Sequence, residues 1–204
     1  QDGKENDSDV DQTTDNSGPQ TAEVYQKGKE NKADVDQSQT GGGSNVPANT
    51  AYLEQIGDDN YGKQYENAPS SNSNQDQWLK QKGDDNWSKQ EILSGYLTDQ
   101  TTTQIGDDNK ATQKSWGSQG YRFSTIYTKG DDNEATQKAH NVKASLDIEQ
   151  RGDDNKATQD YDGSFGFVPG NTGSIYQKGD GNTGTQEMTS GMTDNHMDLD
   201  QIGD

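Results

Sequence analysis

The chain contains no cysteine, so it has neither a disulfide framework nor a thiolate metal site, and its redox compartment is left open. Leu, Ile, Val and Phe make up only about a tenth of the 204 residues, well under the roughly 20% below which chains tend to stay unfolded, and this argues against a conventional globular core. No apolar run approaches the roughly 18 residues of a membrane-spanning helix, so no membrane insertion is expected. Basic residues are scarce as well: 17 against 36 acidic ones give a net charge of −19, which repels nucleic acid and anionic membrane surfaces. The opening Gln1-Asp2-Gly3 is unlike a basic, apolar leader, so an exported form would already have lost its signal. Gly-x-Ser-x-Gly, His-Glu-x-x-His and phosphate-loop patterns are absent, and His140 and His196 fall in or near connections without partners for base or metal chemistry. The expectation is a protein that is not an enzyme and carries no cofactor.

Low hydrophobicity and abundant Gly, Asn, Gln, Asp and Thr would by themselves place the chain among disordered proteins. The order of the residues points elsewhere. Gln-x-Gly-x-x-Asn starts at Gln1, Gln26, Gln55, Gln81, Gln104, Gln150 and Gln177, with Thr128 in place of Gln in an eighth copy and a truncated ninth at Gln201. The copies are spaced 22 to 29 residues apart, so 1–204 reads as a single repeat domain.

Columns emerge when the copies are aligned. The motif glycines are Gly3, Gly28, Gly57, Gly83, Gly106, Gly130, Gly152 and Gly179, and the asparagines Asn6, Asn31, Asn60, Asn86, Asn109, Asn133, Asn155 and Asn182. Two residues later all side chains are small: Ser8, Ala33, Gly62, Ser88, Ala111, Ala135, Ala157 and Gly184. Two further on stand Val10, Val35, Gln64, Gln90, Gln113, Gln137, Gln159 and Gln186. Two residues before the motif come Val24, Leu53, Leu79, Thr102, Ile126, Ile148, Ile175 and Leu199. Steps of two indicate strands with one inward face. Each repeat thus reads as strand, turn, strand, with Gly and Asn taking the φ > 0 positions of the reversal.

One such unit cannot bury its inner face, but stacking in register at about 4.8 Å pairs every strand with its equivalents above and below. Asn and Gln amides then bond to their own copies, and each buried aliphatic side chain adds about 1.5–3 kcal/mol. The predicted fold is all-β: a β-solenoid with two parallel, in-register sheets and eight or so layers. The connections Ser38 to Thr50, Asn67 to Gln75 and Asp160 to Thr172 lie outside the stack, and Pro19, Pro47, Pro69 and Pro169 all fall between repeats, where no ladder bond is lost.

This pattern resembles the curlin repeat of curli subunits, in which Gln-x-Gly-x-x-Asn-x-Ala leads to a second Gln. The match is fullest at Gln26, Gly28, Asn31, Ala33 and Gln37; later copies bring the second Gln two residues earlier, as in Gln104, Gly106, Asn109, Ala111 and Gln113, which moves its ladder. The resemblance implies a secreted, extracellular, cell-surface amyloid fibre subunit of biofilm matrix and adhesion, partnered by itself, an outer-membrane secretion channel and a nucleator subunit. The residues add that neither end of the repeat array carries an evident polar cap, so open strand edges favour self-assembly. The alternative is a monomeric β-solenoid adhesin or calcium-binding cell-surface module.

The turns carry the pairs Asp58-Asp59, Asp84-Asp85, Asp107-Asp108, Asp131-Asp132 and Asp153-Asp154. Stacked carboxylates about 4.8 Å apart repel by roughly 1 kcal/mol in water-like dielectric. They either recruit a hard cation such as calcium or act as gatekeepers that slow assembly, the second being the commoner use of charge beside aggregation-prone strands. Tyr25, Tyr127 and Tyr176 share an outward column, with Trp78, Trp87 and Trp116 in or near strands; such interrupted aromatics more often shield backbone or make lateral contacts than grip polysaccharide. The remaining outward columns read as charged and mixed, and Thr101 to Thr103 as an isolated run, which disfavours an ice-binding face.

Overall fold

Alternation of inward and outward residues, interrupted every 22 to 29 positions by Gly-x-x-Asn, dictates two faces and a corner. The computed structural model takes that form; it describes residues 1–15, 19–40, 49–67, 75–92, 98–116, 122–139, 144–162, 171–189 and 195–203. The strand before each corner belongs to one sheet: β1 (Asp2–Lys4), β3 (Gln20–Lys29), β5 (Asn49–Ile56), β7 (Gln75–Lys82), β9 (Thr98–Ile105), β11 (Arg122–Lys129), β13 (Ala144–Arg151), β15 (Asn171–Lys178) and β17 (Asn195–Ile202). The strand after each corner belongs to the other: β2 (Asp7–Asp15), β4 (Lys32–Thr40), β6 (Tyr61–Asn67), β8 (Trp87–Ile92), β10 (Lys110–Ser115), β12 (Glu134–Ala139), β14 (Lys156–Asp162) and β16 (Thr183–Thr189).

Odd strands follow one another in a nine-stranded sheet and even strands in an eight-stranded sheet, every pairing parallel. The molecule is a parallel β-solenoid in which each odd–even pair forms a layer. Register follows the motif: Leu53 pairs with Val24 and Leu79, Gln55 with Gln26 and Gln81, and Ala111 with Ser88 and Ala135. The shift of the second Gln is absorbed without a slip, since Val35 lies opposite Gln64 and Gln37 opposite Glu66. Val10, inward by parity, is 42% exposed because β2 is an edge strand with only β4 beside it.

The interior is thin and mixed. One apolar cluster joins Ala33, Val35, Ala51, Leu53 and Leu79, with Ala22 and Val24 against it; a second joins Ala111, Ile126, Ala135, Ile148, Ala157 and Ile175, with Leu199 against it. Between them sits Thr102, the one polar member of the aliphatic column, fully buried; its Oγ1 accepts from Gln90 Nε2 at 3.0 Å and Gln113 Nε2 at 2.7 Å. A third cluster of Ala139, Ala144, Leu146 and Tyr161 fills the side away from the corners. There Gly173 makes room for the Tyr161 ring, since a Cβ on it would lie 1.9 Å from the phenol oxygen.

His196 is the second residue of β17, beside a connection, and pairs with Asp198 at 2.9 Å. One expectation needs correction. The outward columns are not all charged and mixed: Thr112, Thr136, Thr158 and Thr185 stand in register on the eight-stranded sheet. This single column is flanked on β10 and β12 by Lys110, Glu134, Lys114 and Lys138. Pro19 precedes β3 and its carbonyl accepts from Asn49 N, whereas Pro47, Pro69, Pro169, His140 and most of the three long connections lie outside the described residues.

Candidate assembly site: amide ladders and acidic corner

The corner is built on backbone proximity between layers. Each motif glycine has φ between 109° and 130°, and a Cβ on Gly106 would sit 2.2 Å from the carbonyl oxygen of Gly130 in the next layer. Only glycine satisfies both the torsion and the approach. The second positive-φ position is not the motif Asn but the residue before it: Glu5, Glu30, Asp59, Asp85, Asp108, Asp132 and Asp154 have φ between 53° and 58°, and Gly181 68°. Acidic Asp is selected here partly because it tolerates the left-handed region better than most residues.

The asparagine side chain turns inward from the corner and closes it. Asn60 donates from both its backbone N and its Nδ2 to Asn31 Oδ1, at 3.1 and 3.0 Å, and from Nδ2 to Gly83 O at 2.7 Å. The same side-chain step links Asn31 to Asn6, Asn86 to Asn60, Asn109 to Asn86, Asn133 to Asn109, Asn155 to Asn133 and Asn182 to Asn155. This ladder is unbroken over eight layers. Each rung satisfies a buried amide that would otherwise cost about 1–3 kcal/mol.

The motif glutamines form a second ladder of opposite sense, each donating forward to the next layer. Gln1 donates to Gln26, Gln26 to Gln55, Gln55 to Gln81 and Gln81 to Gln104, at 2.9 Å each. Gln55 Nε2 also reaches Asn60 O at the end of its own corner and Lys32 O in the layer before, both at 3.0 Å, tying the two sheets together. The run stops at Thr128, where the Oγ1 of Thr128 and the Oε1 of Gln150 are both buried without a partner, and resumes from Gln150 to Gln177 and Gln177 to Gln201. Of the second-strand amides, Gln64 donates to Gln90 and Gln159 to Gln186, while Gln137 reaches Thr125 O.

The acidic corner does more than repel. Asp84 Oδ1 accepts the backbone N–H of Asp58 at 2.8 Å, and the same bond joins Asp107 to Asp84 N, Asp131 to Asp107 N, Asp153 to Asp131 N and Asp180 to Asp153 N; Asp58 serves Lys29 N. The first carboxylate of each pair is thus a rung in the register. The second carboxylates form the outer column; at Asp108 partial desolvation, then Asp85, Asp132, Asp107 and Asp131, push the carboxyl pKa upward. Among the described residues no three acidic or histidine side chains converge as a metal site, so the five Asp pairs stand in columns without forming a cage.

The outward aromatics fall as spaced in the sequence. Tyr25, Tyr127 and Tyr176 share a column but are separated by Glu54, Lys80, Thr103 and Glu149. Pairs not anticipated from the motif bridge the third and fourth layers: Tyr52 with Trp78 at 4.9 Å and Tyr61 with Trp87, stacked, at 6.2 Å.

Residues beyond the motif complete the interior, and the repeat pattern did not reveal them. Gln75, Gln77, Gln100, Glu66, Ile92, Leu146 and Tyr161 are all buried on the side where the connections enter. Their parity was the available signal, each lying an even number of residues from a motif position. Burial pushes the Tyr161 phenol up to about 12, with Asp198 adding to it.

Fold and ladders together define the class: a parallel β-solenoid whose layers are held by repeated amide and carboxylate rungs. Comparison with family models, curated proteins and solved structures finds no match to the chain.

Proposed function

We propose that this chain is a structural subunit of an extracellular, curli-like amyloid fibre that grows by end-to-end stacking of its repeats. The observation that carries the reading is the sameness of successive layers, in which the Asn and first-Asp rungs recur at every step; among the described residues β2 and β16 bound one sheet and β1 and β17 the other, each with a neighbouring strand on one side. Such edges are templates for further strands. The ladders run out to them, so a second copy set in the same register would continue rungs already repeated through the molecule.

The resemblance to curlin repeats extends the proposal to a secreted cell-surface fibre of biofilm matrix and adhesion, served by an outer-membrane channel and a nucleator subunit. The acidic corner fits a gatekeeping role, because charge columns oppose sideways association while the N–H···Oδ1 rungs favour axial register.

Fibre diffraction from protein incubated without agitation tests the proposal. Aligned filaments with a meridional reflection near 4.7–4.8 Å and an equatorial one near 10 Å are expected. Protein that stays monomeric, with β-rich circular dichroism and no filaments, would sink it in favour of a monomeric surface module.

A further inference from the structure

Glu66 is the only acidic residue among the buried side chains of the described interior. It is fully buried on β6, next to Gln37 on β4 and Ile92 on β8. Its Oε2 receives a long 3.5 Å contact from Gln37 Nε2, and its Oε1 has no hydrogen-bond partner among the described residues. Second-strand glutamines reach carbonyls twelve residues earlier, as Gln64 does to Tyr52, so Glu66 stands across from Thr50, between the inward Ala51 and Asn49 of β5. Gln77 on β7 donates to Tyr65 O beside it.

Among the described residues no cation faces this carboxyl. The inward neighbours on β4, β5, β7 and β8 are Gln37, Asn49, Ala51, Gln75, Gln77 and Ile92. The other charged residues of these strands and of β6 point outward: Lys32, Asp34 and Asp36, Glu54, Asp76, Lys80 and Lys82, Lys63, and Lys89 and Glu91. Lys63 is engaged by Asp34, Lys80 by Glu54 and Lys89 by Glu91. Polar atoms around the site are themselves unsatisfied, among them Asn49 Nδ2, both amide atoms of Gln75 and Gln77 Oε1. An ionised carboxylate is costly in such surroundings, whereas a protonated one is a hydrogen-bond donor with unsatisfied acceptors in its neighbourhood.

We propose that Glu66 is a proton-operated lock on the stack: the layers of β4, β6 and β8 close fully when its carboxyl is protonated and loosen when it ionises. Burial first, and Asp76 second, push the carboxyl well above the usual carboxylate range, with the Gln37 contact opposing weakly. The sign follows from linkage. Stability is complete below the unfolded-state value of about 4.3 and falls as pH rises, the folding equilibrium dropping about tenfold per unit until the folded-state value is passed. Mild acid therefore favours the ordered stack, whether or not copies then add to one another.

The test compares the full chain with Glu66→Gln and with Glu66→Ile, the latter copying Ile92 in the next layer. Urea midpoints and hydrogen exchange of the β4, β6 and β8 amides are followed from pH 4 to pH 8. Asp36, Asp99 and Asp147, whose carboxyls burial also raises, are present in all three chains and cancel in the difference. The expected result is that at least one variant is more stable than the parent at pH 8, by tenfold or more in the folding equilibrium, and that its advantage shrinks toward pH 4. A difference that does not change with pH, or two variants less stable than the parent at pH 8, overturns the lock. Because the readout is folding of the chain, this outcome is separate from filament formation.

Discussion

The layers from β3 to β8 and those from β11 to β16 share one corner but are filled differently. In the earlier half the motif glutamines donate without a break from Gln1 to Gln104, and the inner side away from the corners is mostly polar, with Gln75, Gln77, Gln100 and Glu66 beside Ile92. In the later half the glutamine run restarts at Gln150, and that side holds Ala139, Ala144, Leu146 and Tyr161. The seam is marked by two buried threonines in adjacent layers: Thr102 divides the aliphatic column and Thr128 the glutamine ladder. Across it the Asn, Gly and first-Asp rungs continue unchanged. Register is therefore held at the corner, and the interior can exchange amide for aliphatic filling as long as the corner repeats.

The largest expected effect comes from breaking the corner at the seam. Gly106→Ala forces a side chain to φ 120° and against Gly130 O, and should cost on the order of 3 kcal/mol. Tryptophan fluorescence reports the earlier side through Trp78 and Trp87, with Trp116 at the seam against Ala139, and circular dichroism reports the whole stack. In the variant the two should separate into distinct urea transitions; a single coincident transition would mean that the halves are coupled through the interior instead.

Asn109→Ala removes one rung of the unbroken ladder: Gly130 O loses its side-chain donor and the donors of Asn133 lose their acceptor, while Asn86 Oδ1 keeps the backbone N–H of residue 109, a loss of about 2–3 kcal/mol. Faster hydrogen exchange should concentrate at β8, β10 and β12. Smaller and of opposite sign, Thr128→Gln restores the amide present in every other layer and gives Gln150 Oε1 a donor, so a gain of about 1 kcal/mol in urea stability is expected. Asp107→Asn keeps the acceptor for Asp84 N and removes one charge from the column. Its stability should barely change while filament growth at low salt quickens; an equally slow variant would deny the carboxylates a gatekeeping role.

What could be read from the sequence was what repeats. Leu53, Gln55, Gly57 and Asn60 recur with fixed spacing, and their columns and register stand as the periodicity indicated. Residues nearer the connections gave no such signal, because those segments vary in length and each layer solves its own packing: Glu66 follows Gln37 and precedes Ile92 in one column. The left-handed positions fall on Asp59 and Asp85 and not on the following Asn, because a turn pattern names residue types, not which of two adjacent residues inverts. The role of Asp84 as an acceptor needed the neighbouring layer, where the N–H of Asp58 lies.

The opposed senses of the two amide ladders have an electrical consequence. Asn side-chain carbonyls point toward the last layer and Gln side-chain carbonyls toward the first, so the two rows of amide dipoles lie antiparallel and largely cancel. A helix accumulates partial charge at its ends as its peptides align; these paired rows do not. Side-chain polarisation then sets no limit on height, and a layer joins a tall stack on the same terms as a short one.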